Sequence, residues 1–192
     1  NICNSCSRSV FQEFPSSQQS SFDLLKKGFL LAEGNISNQI LAKFIDTRKR
    51  TLLERSRDWK MIPSHYDLTA HNLTIFNNTP FLLDLAPHKL GLLPVFLMPI
   101  CLIHSELKEY QRDDLALAFW AGEFDNEFKD LYSTKIMSNE IRNDIFLAES
   151  LTLLAVGSKI DINSIEFWFQ PILEKICFNL SKTAPWLWPP SP

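Results

Sequence analysis

Glycine is scarce in this chain, with five residues in 192. No glycine-rich loop of the kind that wraps backbone N–H groups around a phosphate can be assembled from them. Long apolar runs are missing as well. The most apolar stretch, Leu90 to Ile103, is broken by Gly91, Pro94 and Pro99 and falls short of the roughly 18 residues that a membrane-spanning helix requires. It is expected to be a buried core segment, and no membrane partner is expected. Charge of one sign is not in excess either. A formal net charge of −3 supplies no basic footprint for nucleic acid and no acidic tail. No charged segment followed by an apolar one opens the chain, so no secretory signal is expected, and a cytoplasmic location follows by default. The four cysteines lack the spacing of a full zinc site, which leaves a metal or redox role for the Cys3/Cys6 pair as a minor alternative. Cys3 and Cys6 form a Cys-x-x-Cys pair without a second pair or histidines at matching spacing, while Cys101 and Cys177 stand singly in apolar segments as expected core residues. No internal repeat is visible.

What is present is a chain long enough for one substantial domain with a proper core. Residues 1–20 are polar and rich in Ser and Gln, and form an expected loose lead-in. Ser20-Ser21-Phe22-Asp23 opens a helix in capping-box fashion, with Phe22, Leu25, Phe29 and Ala32 at helical spacing and Gly34-Asn35 as its end. A second helix starts at Ser37 or Asn38 and runs to about Arg57, with Ile40, Leu41, Phe44, Ile45, Leu52 and Leu53 repeating at a period near 3.6. Its basic cluster, Arg48, Lys49, Arg50, Arg55 and Arg57, is either a solvated face or a phosphate contact. Further helices are expected over Pro94–Glu109, broken or kinked at Pro99, from Asp113-Asp114 through Trp120, over Asp125–Tyr132, and over Asn139–Val156 before Gly157. A last one starts at Gln170-Pro171 and carries Ile172, Leu173, Ile176 and Leu180. Residues 183–192 form a tail rich in Trp and Pro.

Between the second helix and the later ones, the chemistry changes. Met61-Ile62-Pro63 is a short extended entry to Ser64-His65-Tyr66-Asp67-Leu68-Thr69-Ala70-His71-Asn72. The apolar runs Leu73–Phe76 and Phe81–Leu85, flanking Asn77-Asn78-Thr79-Pro80, then predict a strand, a turn and a strand. Such a hairpin brings Asn72 and Asp84, the residues at its two ends, to face each other, with Asp67 five residues upstream of Asn72. Two hard oxygen ligands side by side suit Mg²⁺, and a third carboxylate nearby could orient a hydroxyl for attack. Phosphoryl transfer needs that combination, because positioning and charge neutralisation supply most of its catalysis.

His65-x-Asp67-Leu68-x-x-x-Asn72, with Asp84 following, resembles the catalytic core of the protein-kinase-like superfamily, and most resembles the small-molecule phosphotransferases of the aminoglycoside and choline kinase type. The resemblance implies an α+β, mostly helical C-terminal lobe spanning residues 21–182, with a small β-hairpin carrying the metal ligands. It implies Asp67 as the catalytic aspartate, Asn72 and Asp84 as ligands of Mg²⁺ and through it of ATP, and His65 as a brace for the loop. The activity implied is transfer of a phosphoryl group from ATP to a hydroxyl of a small-molecule acceptor. The alternative is a degenerate lobe of the same fold that binds partners without turnover. The sequence departs from the family pattern at Tyr66, where Gly or Arg is usual, at His71, where Gly is frequent, and at Leu85-Ala86-Pro87. The β-rich N-lobe of such enzymes has no counterpart before His65. Together with a first residue that is not Met, this makes the chain an expected fragment whose N-lobe is truncated, absent or carried by another polypeptide.

Overall fold

A computed structural model describes residues 20–65, 70–84, 90–94, 114–132, 134–157 and 161–170. The expected α+β class holds: among the described residues, helices dominate and the strands form two small antiparallel sheets. The Cys3/Cys6 pair, Cys101, Cys177, the 95–109 part of the Pro94–Glu109 helix, the 171–180 helix and the 183–192 tail lie outside the described residues.

Helix α1 spans Ser21–Ala32, and its cap is the one its sequence announces. Ser20 Oγ accepts the Asp23 N–H at 3.1 Å, satisfying one of the donors that a helix start leaves open. Leu24, Leu25, Gly28, Phe29 and Ala32 are its buried stripe. Helix α2, Gln39–Arg55, is capped by Asn38, whose side-chain oxygen accepts from Ile40 N and Leu41 N. It buries Leu41, Phe44, Ile45 and Leu52, then tightens into a 3-10 turn at Ser56–Asp58. The Ser21 hydroxyl donates to the Ser56 carbonyl, tying the start of α1 to the end of α2.

After the sheets come α3 (Asp114–Ala121), α4 (Asp125–Leu131), α5 (Asn139–Val156) and α6 (Ile162–Phe169). Helix α5 is the centre of the fold. Ser138 caps it, Gly157 ends it in the left-handed conformation at φ 71°, and every residue from Arg142 to Leu153 is buried. A helix buried on all sides has neighbours all round. Phe146 on α5 meets Trp120 of α3 and Phe169 of α6, with ring centroids 4.6 and 5.5 Å apart. On another side α1 approaches so closely that a Cβ on Gly28 would lie 2.2 Å from the Leu151 carbonyl oxygen.

Two of the polar groups that α5 buries, Arg142 and Asp144, are held by ion pairs. Arg142 forks onto Asp125, Nε to Oδ1 at 2.9 Å and Nη2 to Oδ2 at 2.6 Å, which fastens α4 to α5. Asp144, fully buried, receives Arg48 from α2 through two bonds of 2.7 and 2.6 Å, with Arg55 at 3.7 Å and Glu140 also on Arg48. Burial pushes the Asp144 carboxyl above its ordinary range, and the hydrogen bonds and charge of Arg48 pull against it. For Arg48 burial opposes the charge, and Asp144 outweighs burial and holds the guanidinium above its ordinary range. The basic cluster of α2 is therefore not one solvated face. Arg48 belongs to the interior, while Lys49 and Arg50 face out and pair with Glu33 and Glu54.

Two sequence expectations need correction. The sequence reading places no helix at Ile162–Phe169, yet one forms there: Asp161 caps it by accepting the Ser164 N–H at 2.8 Å, and Ile165, Trp168 and Phe169 supply its buried face. The start of the Leu90–Ile103 segment is also a strand: β4, Leu90–Pro94, pairs antiparallel with β1, Met61–His65, from Met61 opposite Pro94 to His65 opposite Leu90. Period-2 burial is short here, with Leu93 buried and Leu92 exposed, so the apolar run hides its strand character. Among the described residues no helix is long and apolar enough to cross a membrane.

Candidate functional site

The hairpin forms with tighter boundaries than expected. Strand β2 is Leu73–Phe76 and β3 is Thr79–Leu82, paired from Leu73 opposite Leu82 to Phe76 opposite Thr79. The turn is Asn77-Asn78 alone, both at positive φ (49° and 57°), the pattern of a two-residue type I′ turn that Asn favours. Thr79 and Pro80 are therefore strand residues. Counting from the turn, Phe76/Thr79 is a hydrogen-bonded pair and Ile75/Pro80 is not, so the missing N–H of Pro80 points away from its partner and breaks no ladder bond.

Beyond the Leu73/Leu82 pair the ladder continues by one step. The Leu83 N–H donates to the Asn72 carbonyl at 2.7 Å. Asn72 closes a 3-10 turn, Ala70–Asn72, and stands opposite Leu83, so contrary to expectation it does not face Asp84, which is the next residue along. Asp84 has φ 54°, a left-handed conformation uncommon outside glycine though tolerated by Asp. This turn of the backbone takes Asp84 out of the pleat, so the alternation of side chains along β3 does not extend to it. The resemblance drew attention to His71 as the residue in a glycine position. His71 is not at positive φ, whereas Asp84 at the base of the hairpin is.

His65, at the end of β1, is buried to 1 % exposure and its Nε2 lies 2.9 Å from the Asp84 carbonyl oxygen. A carbonyl only accepts, so Nε2 carries the proton and donates. This bond joins the β1/β4 ladder to the base of the β2/β3 hairpin across 19 residues of sequence. It also fixes the carbonyl of Asp84, whose backbone is left-handed.

Of the four predicted site residues, the structure brings His65, Asn72 and Asp84 to the base of the hairpin. Asp67 lies outside the described residues. Asn72 is half-buried and Asp84 exposed, and both offer hard oxygens of the type that Mg²⁺ takes. The two donors fit a magnesium ion in kind. Among the described residues no group of three or more His, Cys, Asp or Glu could hold a metal ion by itself. The signal sequence reasoning missed is the strain at Asp84, since Leu-Asp-Leu carries no mark of a left-handed residue. Compared with known proteins, the chain matches no family model, no curated protein and no solved structure.

Proposed function

We propose that the chain is the C-terminal, catalytic-loop part of a kinase-like phosphotransferase that moves a phosphoryl group from ATP to a hydroxyl of a small molecule. The observation that carries this reading is the hydrogen bond from His65 to the Asp84 carbonyl. It supports the reading because it ties His65, where the His-x-Asp motif begins, to the residue assigned to the metal, and the resemblance implies His65 as the brace of that loop. In this reading Asn72 and Asp84 would hold Mg²⁺, whose contribution when bound is to orient the phosphates and neutralise their charge. Asp67 orients the acceptor hydroxyl and takes its proton. His65 keeps Asp84 turned out of the pleat, so that its carboxylate stands at the exposed end of the hairpin.

The test is Mg²⁺-dependent ATP binding by titration calorimetry, joined to a transfer assay over a panel of hydroxyl acceptors, both made with a kinase-like N-lobe supplied, because the chain without one is expected to bind Mg·ATP weakly and to show no turnover. Asp84→Asn is expected to lose Mg·ATP affinity and turnover together. Asp67→Asn is expected to cut kcat by about 10²–10⁴ with Mg·ATP affinity nearly unchanged, because only the acid-base group is removed. His65→Ala is expected to lower thermal stability and activity together. Mg·ATP binding that Asp84→Asn leaves intact would refute the site, as would full activity in Asp67→Asn.

A further inference from the structure

Helix α2 has three kinds of face. Leu41, Phe44, Ile45 and Leu52 enter the core, and Arg48 and Arg55 turn to Asp144 of α5. The third face carries Asp46, Lys49, Arg50, Leu53 and Glu54 at i, i+3, i+4, i+7 and i+8, and Arg57 continues the stripe from the 3-10 turn. With Phe22 of α1, these residues line an open groove of about 530 Å³.

Two of the charges are loosely held within the molecule: Arg50 pairs with Glu54 at 3.0 Å and Lys49 with Glu33 at 3.2 Å, all at the surface, where such pairs exchange at little cost. What remains is an acid at one end, Asp46, a cation at the other, Arg57, and apolar Leu53 and Phe22 between them. The Arg57 guanidinium carbon lies 4.2 Å from the centre of the Phe22 ring. A guanidinium lying over a ring keeps its N–H edge available to a carboxylate.

The charge order along the stripe is complementary to itself when reversed. A second α2 laid antiparallel across the first, about a two-fold axis near Thr51 and Leu52, sets Asp46 against Arg57, Lys49 against Glu54 and Arg50 against Leu53. Every opposite-charge contact then occurs twice. Sliding the helices by one turn removes the match, because one direction sets Arg50 on Arg57 and the other sets Lys49 on Arg50. We propose that this face of α2 is a self-association surface, on which a second copy of the chain docks antiparallel in an isologous two-fold interface. Arg50, 89 % exposed, extends from each copy over the Leu53 and Phe22 floor of the other.

The experiment is sedimentation equilibrium of the 192-residue chain over a range of concentrations and salt. A reversible dimer that weakens with added salt is expected, since its charge pairs sit at the solvent-accessible rim. Asp46→Arg and Arg57→Asp should each weaken dimerisation about tenfold or more, because each reversal turns two symmetric attractions into repulsions. The double variant Asp46→Arg/Arg57→Asp should return to within about threefold of the parent, the mark of a direct pairwise contact. Lys49→Glu and Glu54→Lys form a second reversal pair that leaves the Phe22 stacking untouched, with thermal melts to verify that each variant is folded. A chain that stays monomeric throughout overturns the proposal. So does a dimer indifferent to the single reversals, or one that neither double reversal restores.

Discussion

Replacing Gly28 by alanine tests the central packing of the fold. The added methyl would lie 2.2 Å from the Leu151 carbonyl oxygen and 2.7 Å from its carbon, whereas a carbon rests about 3.5 Å or more from a neighbouring heavy atom. The obstructing atoms are the backbone of the buried helix α5, so no rotamer change relieves the clash, and α1 must withdraw by about an ångström over the stripe that includes Leu24, Leu25 and Phe29. Overpacking of this type costs about 1–3 kcal/mol, and an immovable neighbour puts the cost at the upper end. Alanine returns about 1 kcal/mol of helix propensity. The net expectation is a loss of about 2 kcal/mol, read in urea as a midpoint about 1 M lower at a slope near 2 kcal/mol/M. Gly34→Ala is the control. Nothing lies within 4 Å of its Cβ position, but its φ is +75°, so its cost is only the left-handed penalty of about 1–2 kcal/mol, with no salvage from packing changes. The telling comparison is Gly28→Ala with compensating Leu151→Ala. Because the obstruction is backbone, trimming the Leu151 side chain should not rescue stability. A Gly28→Ala chain as stable as the parent would refute the close approach of α1 to α5.

Arg48→Met should destabilise by about 3–5 kcal/mol, since it strips the fork from a carboxylate buried to 0 % exposure; Arg48→Met with Asp144→Leu should recover most of that loss, and chemical denaturation of both variants checks it. The Glu166 carboxylate clamps the start of α2, accepting from Asn38 N at 3.0 Å and from Ser37 N and Oγ. The Asn38 N–H, with help from Ser37, holds it below its ordinary value of 4.5. With the folded pKa below the unfolded one, the stabilisation is present in full above the unfolded value and is lost as pH falls through the folded one. Glu166→Gln should therefore lower Tm near pH 7 and make no difference at the acid end. The gap should be at most about 1 kcal/mol, because the group is partly exposed and solvent-screened.

Much of the helical frame was legible in the sequence because helix ends are local chemistry. Ser20, Asn38 and Ser138 each present a short side chain to the open N–H groups of the turn that follows, and Gly157 accepts a left-handed φ, so those boundaries are written within four residues of themselves. The Asn77-Asn78 turn is legible for the same reason, and Asp161-x-x-Ser164 carried an equally local signal for the helix that sequence reasoning overlooked. That Asn72 and Asp84 come to one end of a hairpin was legible from the two apolar runs and the turn between them, whereas His65 was singled out by the family resemblance. Only the tertiary structure decided the rest. Whether Arg48 faces water or a buried carboxylate depends on Asp144, 96 residues away. The pairing of Met61–His65 with Leu90–Pro94 needs a partner that β1 cannot specify by its own pattern. The left-handed turn at Asp84 is held by a histidine on another sheet. Local chemistry sets where an element starts and stops, whereas the burial of a charge and the strain of a backbone are properties of what packs against them.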